Sequence, residues 1–310
     1  MAAGIKNVIE IKNMSKDYVV TDIFERMKGS KIKTGITGVT FDVKEGEVFS
    51  IIGLNGAGKT TIMKCILGLI KPDSGELKVF GEKKLRREDY FRIGYLPEIS
   101  YYPKEVKLKD LMEYYADLYD MDKKERKVKI GEILEILNLA RRMNDRLEKF
   151  SKGMLQRVGL AQSIMNEPEL LFLDEPMSGL DPLGRKQVMD LISNINKKGT
   201  TVILNTHILS DVEKIGDRIA IVDSGEVKRV FDYRDFVWGR VQYRVVVGLP
   251  YSGFTRNGDK YVKLIDENEL NSLLKELTAM GVHIVSVEKS EFRLEDFFID
   301  EIGGKNRKSE

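Results

Sequence analysis

An α/β core built on a parallel sheet, interrupted by a helical insertion and followed by a small α+β unit, is the fold class this sequence predicts. Three observations carry it. Val48-Phe-Ser-Ile-Ile52 runs directly into Gly53-Leu-Asn-Gly-Ala-Gly-Lys59-Thr60-Thr61, an apolar strand feeding a G-x-x-x-x-G-K-[ST] loop and a helix. Leu170-Leu-Phe-Leu173 is apolar at every position, as in a strand buried on both faces, and it ends in Asp174-Glu175. Beyond it strand and helix patterns alternate, which is how parallel strands are joined.

The elements follow in order. Val8-Ile-Glu-Ile11 and Val39-Thr-Phe-Asp-Val43 alternate as half-buried strands do, and Glu45-Gly46 turns the second into the strand before the loop. A helix from Lys59 ends near Gly68, with Pro72 beyond. From about 105 to 166 the chain reads mostly as helix. Leu108, Leu111, Met112, Tyr115, Leu118 and Tyr119 recur at helical spacing, as do Ile130, Ile133, Leu134 and Leu137. Ser151 is a good N-cap for a helix over 152–166. After Asp174 come a helix over 182–197, a strand over 201–204, a helix over 210–215 and a strand over 218–222. Character changes near 232, where strands at 241–247, 261–265 and 282–288 alternate with helices at 267–280 and 293–302. Residues 1–231 are thus expected as one domain with a helical insertion at about 83–166, and 232–303 as a small accessory domain. Residues 304–310 are expected as a disordered tail.

Composition narrows the function. With 42% hydrophobic and 32% charged residues, the 310-residue chain can bury a sizeable core. A net charge of +2 gives no electrostatic case for binding nucleic acid. No apolar run approaches the roughly 18 residues that cross a bilayer, so a membrane role has to come through a partner chain. The lone Cys65 excludes an intrachain disulfide and sits among core residues, which makes a cytoplasmic location the default.

The chemistry lies in the loop and the acids. Glycines at 53, 56 and 58 permit backbone conformations closed to other residues, so that N–H groups converge on an anion at a helix start. Lys59 supplies a positive charge for β- and γ-phosphates, and the Thr60 hydroxyl is placed to ligate Mg²⁺. Asp174 can hold that ion through water, and Glu175 can polarise the water that attacks the γ-phosphate. A nucleoside triphosphate and Mg²⁺ are the expected ligands.

Phe150-Ser-Lys-Gly-Met154-Leu-Gln-Arg157, then Asp174-Glu175-Pro-Met-Ser178-Gly-Leu-Asp181, then His207, resemble the nucleotide-binding subunits of ABC transporters over roughly residues 5–230. The Ser-Lys-Gly-Met form, with the ending Phe292-Arg-Leu-Glu-Asp-Phe-Phe298, looks most like the branch serving drug, sodium and polysaccharide exporters. The resemblance implies a P-loop NTPase core with an antiparallel β subdomain. It assigns nucleotide contacts to Asn55, Gly56, Ala57, Gly58, Lys59, Thr60 and Thr61, and adenine stacking to Tyr18. It makes Ser151, Lys152, Gly153 and Met154 a signature acting on the nucleotide of a second protomer, with Asp181 as the D-loop acid and His207 as a γ-phosphate switch. Three positions depart from the family's commonest form. Lys152 and Met154 replace Gly and Gln in the signature. Glu98, in Tyr95-Leu-Pro-Glu98, stands where the family has a glutamine, and its carboxylate could still ligate Mg²⁺. The stretch 19–38 is longer than usual, and Arg26, Lys28, Lys31 and Lys33 suggest an exposed loop.

What the resemblance implies is an ATP-hydrolysing subunit that works as a homodimer or heterodimer on transmembrane permease subunits, peripheral on the inner face of the cell membrane. The rival readings are an importer ATPase, a soluble ABC ATPase acting on a non-transport assembly, and a nucleotide-gated module that does not hydrolyse.

Overall fold

The computed structural model describes residues 6–20, 32–238, 242–290 and 294–303. The chain divides into two compact units, Met1–Phe231 and Asp232–Glu310. In the first lie strands β1 (Asn7–Val20), β2 (Ile32–Lys44), β3 (Val48–Ile52), β4 (Ser74–Val79), β5 (Ile93–Leu96), β6 (Leu170–Asp174), β7 (Thr201–Thr206), β8 (Arg218–Asp223) and β9 (Glu226–Asp232).

They form two sheets. The larger has the order β5-β6-β7-β3-β8-β9, with parallel pairing from β5 through β8. Every residue of β3, β6 and β7 is buried, which a strand covered on both faces requires. Phe49 and Phe172 are fully buried on β3 and β6, each worth on the order of 1.5–3 kcal/mol of transfer from water. The smaller sheet, β2-β1-β4, is antiparallel. Its inward residues Ile9, Ile11, Met14, Ile36 and Val39 join Ile62, Met63 and Ile66 of the helix Lys59–Ile66 in one core.

The helical layer consists of Leu108–Leu118, Lys123–Ile136 and Lys152–Ser163. Its buried face is the one the periodicity marks: Leu108, Leu111 and Met112 on one helix, Ile130, Ile133 and Leu134 on the next. Asp122 starts the second of these helices by accepting a hydrogen bond from Lys124 N. The stretch 83–166, read as one insertion, is broken by β5, an edge strand of the parallel sheet. The helix expected over 152–166 ends at Ser163.

The second unit carries β10 (Gln242–Val247), β11 (Thr255–Asn257), β12 (Lys260–Asp266) and β13 (Ile284–Ser290) in an antiparallel sheet of order β11-β12-β10-β13. Val245 and Val247, two apart on a strand, pack with Leu273 and Leu277, four apart on the helix Glu267–Ala279. Among the described residues no helix is long and apolar enough to cross a membrane. The loop expected over 19–38 is corrected at both ends, since Val19 and Val20 extend β1 and residues 32–38 belong to β2, with Lys33 paired to Val19. Arg26, Lys28 and Lys31 and the tail 304–310 lie outside the described residues.

Candidate functional site

The loop between β3 and the helix Lys59–Ile66 folds back on its own carbonyls. Gly56 and Gly58 take the left-handed conformation, with φ of 81° and 106°. Gly53 does not, which corrects the expectation for that position. Glycine is needed at 53 for space, because a Cβ there would come within 2.2 Å of Val222 O on β8. Ala57, inside the loop, is buried and donates its N–H to Leu54 O at 3.1 Å. Lys59 Nζ donates to Gly53 O at 2.9 Å and to Leu54 O at 3.1 Å. Burial lowers the pKa of this ammonium, and the charges of Glu175, Asp174 and Glu98 oppose that fall.

Asp174 ends β6 and Glu175 follows it, and β7 lies between β6 and the loop strand β3. Thr60 Oγ1 still reaches Asp174 Oδ2 at 3.3 Å, while Asn205 Nδ2 on β7 holds Asp174 Oδ1. Burial, reinforced by the charge of Glu98, pushes the Asp174 carboxyl up to about 6, although the hydrogen bonds from Thr60 and Asn205 pull it down. Glu175 stands at φ 51°, a left-handed backbone that costs a residue with a side chain on the order of 1–3 kcal/mol. Its surroundings hold it there. Glu175 N donates to Asn205 O at 2.8 Å, and Gln156 Nε2 donates to Glu175 O at 3.1 Å. His207 N and Nδ1 meet Glu175 Oε1 at 3.0 and 2.6 Å, and Thr206 Oγ1 meets Oε2 at 3.3 Å.

One cleft of about 610 Å³ gathers Tyr18, Asn55, Gly56, Gly58, Lys59, Thr60, Thr61, Glu98, Asp174, Glu175 and His207. Ser151, Lys152, Gly153, Met154 and Asp181 line a separate cleft of about 420 Å³, and the two share no residue. There Ser151 caps the helix Lys152–Ser163 by accepting from Met154 N at 3.3 Å. Asp181 caps Pro182–Lys197 by accepting from Gly184 N at 2.8 Å.

Thr60, Asp174 and Glu98 are hard oxygen donors of the kind Mg²⁺ takes. Among the described residues no three acid, histidine or cysteine side chains cluster as a metal cage. Asn205, Thr206 and Gln156 were not anticipated. The available signal was polar side chains at 205 and 206 following the apolar run Val202, Ile203 and Leu204.

A glycine-lined anion cradle at the carboxyl end of a parallel sheet, with paired acids beside it, defines a nucleotide-binding protein of the P-loop class. A family model described as ABC transporter matches residues 36–178. An uncharacterized ABC transporter ATP-binding protein of Synechocystis sp. is 34% identical over 308 residues, spanning 96% of this chain and 85% of that protein. The bacitracin transport ATP-binding protein of Bacillus licheniformis is 33% identical, spanning 94% of this chain and 99% of its own. A solved dimeric ATP-binding cassette, in a post-hydrolysis state with ADP and Pi bound, matches with a TM-score of 0.65 at 27% identity, covering 73% of this chain and 99% of that one. The chain belongs to the ATP-binding subunits of ABC transporters. Membership carries ATP binding and implies ATP hydrolysis, and such subunits dimerise and work with transmembrane permease components.

Proposed function

We propose that this chain hydrolyses MgATP in a head-to-tail dimer and thereby drives an exporter through separate permease subunits, from the inner face of the cell membrane. The observation that carries the reading is the pairing of Thr60 with Asp174 and of His207 with Glu175 in the cleft that contains Lys59. Lys59 neutralises the β- and γ-phosphates, and the loop N–H groups bind their oxygens. Thr60, Asp174 and Glu98 would hold Mg²⁺, which supplies charge neutralisation on the phosphates. Glu175 accepts the proton of the attacking water as its oxygen bonds to the γ-phosphorus and the bond to ADP breaks. His207 shares Glu175 Oε1 and keeps that carboxylate directed at the cleft. Tyr18, 36% exposed at the cleft edge, offers its ring to adenine.

The separation of the signature cleft from the loop supports completion of each site by a second protomer, whether an identical chain or a different one. Leu69, Tyr90, Phe91, Tyr95, Leu118 and Tyr119 line an apolar groove of about 520 Å³ on the helical side, which supports docking of a permease segment there. The bacitracin transport relative, matched along nearly its whole length, supports a transport role over a cassette acting on a non-transport assembly.

Glu175→Gln tests the reading. Phosphate release is expected to fall roughly 10²–10⁴-fold while ATP binding persists and a MgATP-dependent dimer accumulates in light scattering. Turnover at the wild-type rate would remove Glu175 from this role.

A further inference from the structure

Asn205 occupies the middle of the site without belonging to the motifs that define it. It stands on β7, opposite Asp174 of β6 on one side and Ile51 of β3 on the other. It is 1% exposed and closes a run of Val202, Ile203 and Leu204. Its Nδ2 donates to Asp174 Oδ1, while Asp174 Oδ2 accepts from the Thr60 hydroxyl.

The other end of the same amide is unsatisfied. Asn205 Oδ1 is buried and has no hydrogen-bond partner among the described residues. An ionised carboxylate can only accept, so the amide has to turn its NH₂ group to Asp174 and leave its oxygen over. An orphaned buried acceptor costs stability, and an apolar side chain of the same size would not leave one. What the amide contributes at this position is therefore its Nδ2 donor.

Nδ2 fixes a torsion. The carboxylate plane of an aspartate turns broadly about its last side-chain bond, so its two oxygens exchange unless one is held. We propose that Asn205 is a positioning residue for the metal side of the site. It pins Asp174 Oδ1 so that Oδ2 is presented, with the Thr60 hydroxyl, to the Mg²⁺ that accompanies ATP. Three consecutive residues then serve the two acids separately: Asn205 orients Asp174, and Thr206 and His207 orient Glu175. The inference rests on the reading of the cleft as a MgATP site.

The test uses the full chain, a fluorescent ATP analogue, and Mn²⁺ in place of Mg²⁺. Affinity is measured with Mn²⁺ and with EDTA, and the ratio is the metal's contribution. In Asn205→Leu, which keeps the size and removes the donor, the ratio is expected to fall about tenfold or more, with metal-free binding retained. Asn205→Ser, which keeps a shorter donor, is expected to fall between, and it decides the matter should the leucine variant not fold. The zero-field splitting of bound Mn²⁺ in paramagnetic resonance should change in both. A wild-type ratio in the variants, or metal-free binding lost to the same degree as metal-dependent binding, would overturn the role of Asn205. Wild-type protein that binds no analogue, or binds it without regard to Mn²⁺, would instead overturn the MgATP reading beneath it.

Discussion

Lys59 is 7% exposed and is held by two carbonyls of its own loop, which fixes its charge in the cleft proposed to receive the phosphates. A hydrogen bond to a charged group is worth about 1.5–3 kcal/mol. Lys59→Ala is therefore expected to weaken binding of a fluorescent ATP analogue by about ten- to a hundredfold. Equal binding by the variant would refute this assignment. Cys65 makes a second residue-scale case. Burial pushes its thiol from 9.0 up to about 11. The folded chain thus keeps a proton that the unfolded chain releases, and the stability this provides is present below pH 9 and lost as pH rises through about 11. Because the thiolate is the nucleophile, native protein should resist alkylation at pH 8 and react once unfolded in denaturant. Lys59, Thr60, Asp174 and Glu175 were legible in the sequence because phosphate chemistry demands those side chains at that spacing. Asn205, Thr206 and Gln156 were not. Their partners are fixed by the register of β6 on β7 and by a helix side chain reaching a turn, which no local pattern encodes.

Elements differ in the same way. β3, β6 and β7 are apolar runs that announce burial on both faces, but β5 is four residues long and contains Gly94. The reason for that glycine lies elsewhere in the chain: a Cβ at 94 would come within 2.0 Å of Ser163 O, at the end of the helix Lys152–Ser163. The start of that helix gives the element-scale prediction. Ser151→Arg removes a cap worth about 1 kcal/mol and places a long cation in the signature cleft. Monomer ATP binding is expected to stay near wild type, since no residue of this cleft lines the other, while hydrolysis is suppressed. Isothermal titration of the monomer and a phosphate-release assay separate the two effects. Loss of monomer binding would sink the composite-site reading.

At the scale of the whole molecule, every residue placed in either cleft lies within Met1–Phe231, and the second unit has a small core of its own around Val245, Val247 and Leu277. A chain ending at Phe231 is therefore expected to bind MgATP and to lose assembly with its partner or control of turnover. A folded truncation that no longer binds nucleotide would move the boundary. Co-purification from detergent-solubilised membranes checks the assembly. The separateness of the two clefts has a genetic corollary. A chain damaged at Lys59 retains a sound signature, and a chain damaged at Ser151 retains a sound phosphate loop. If the sites are composite as proposed, two co-expressed alleles that are each inactive alone would complement one another, because a mixed pair would rebuild one whole site from the undamaged half of each.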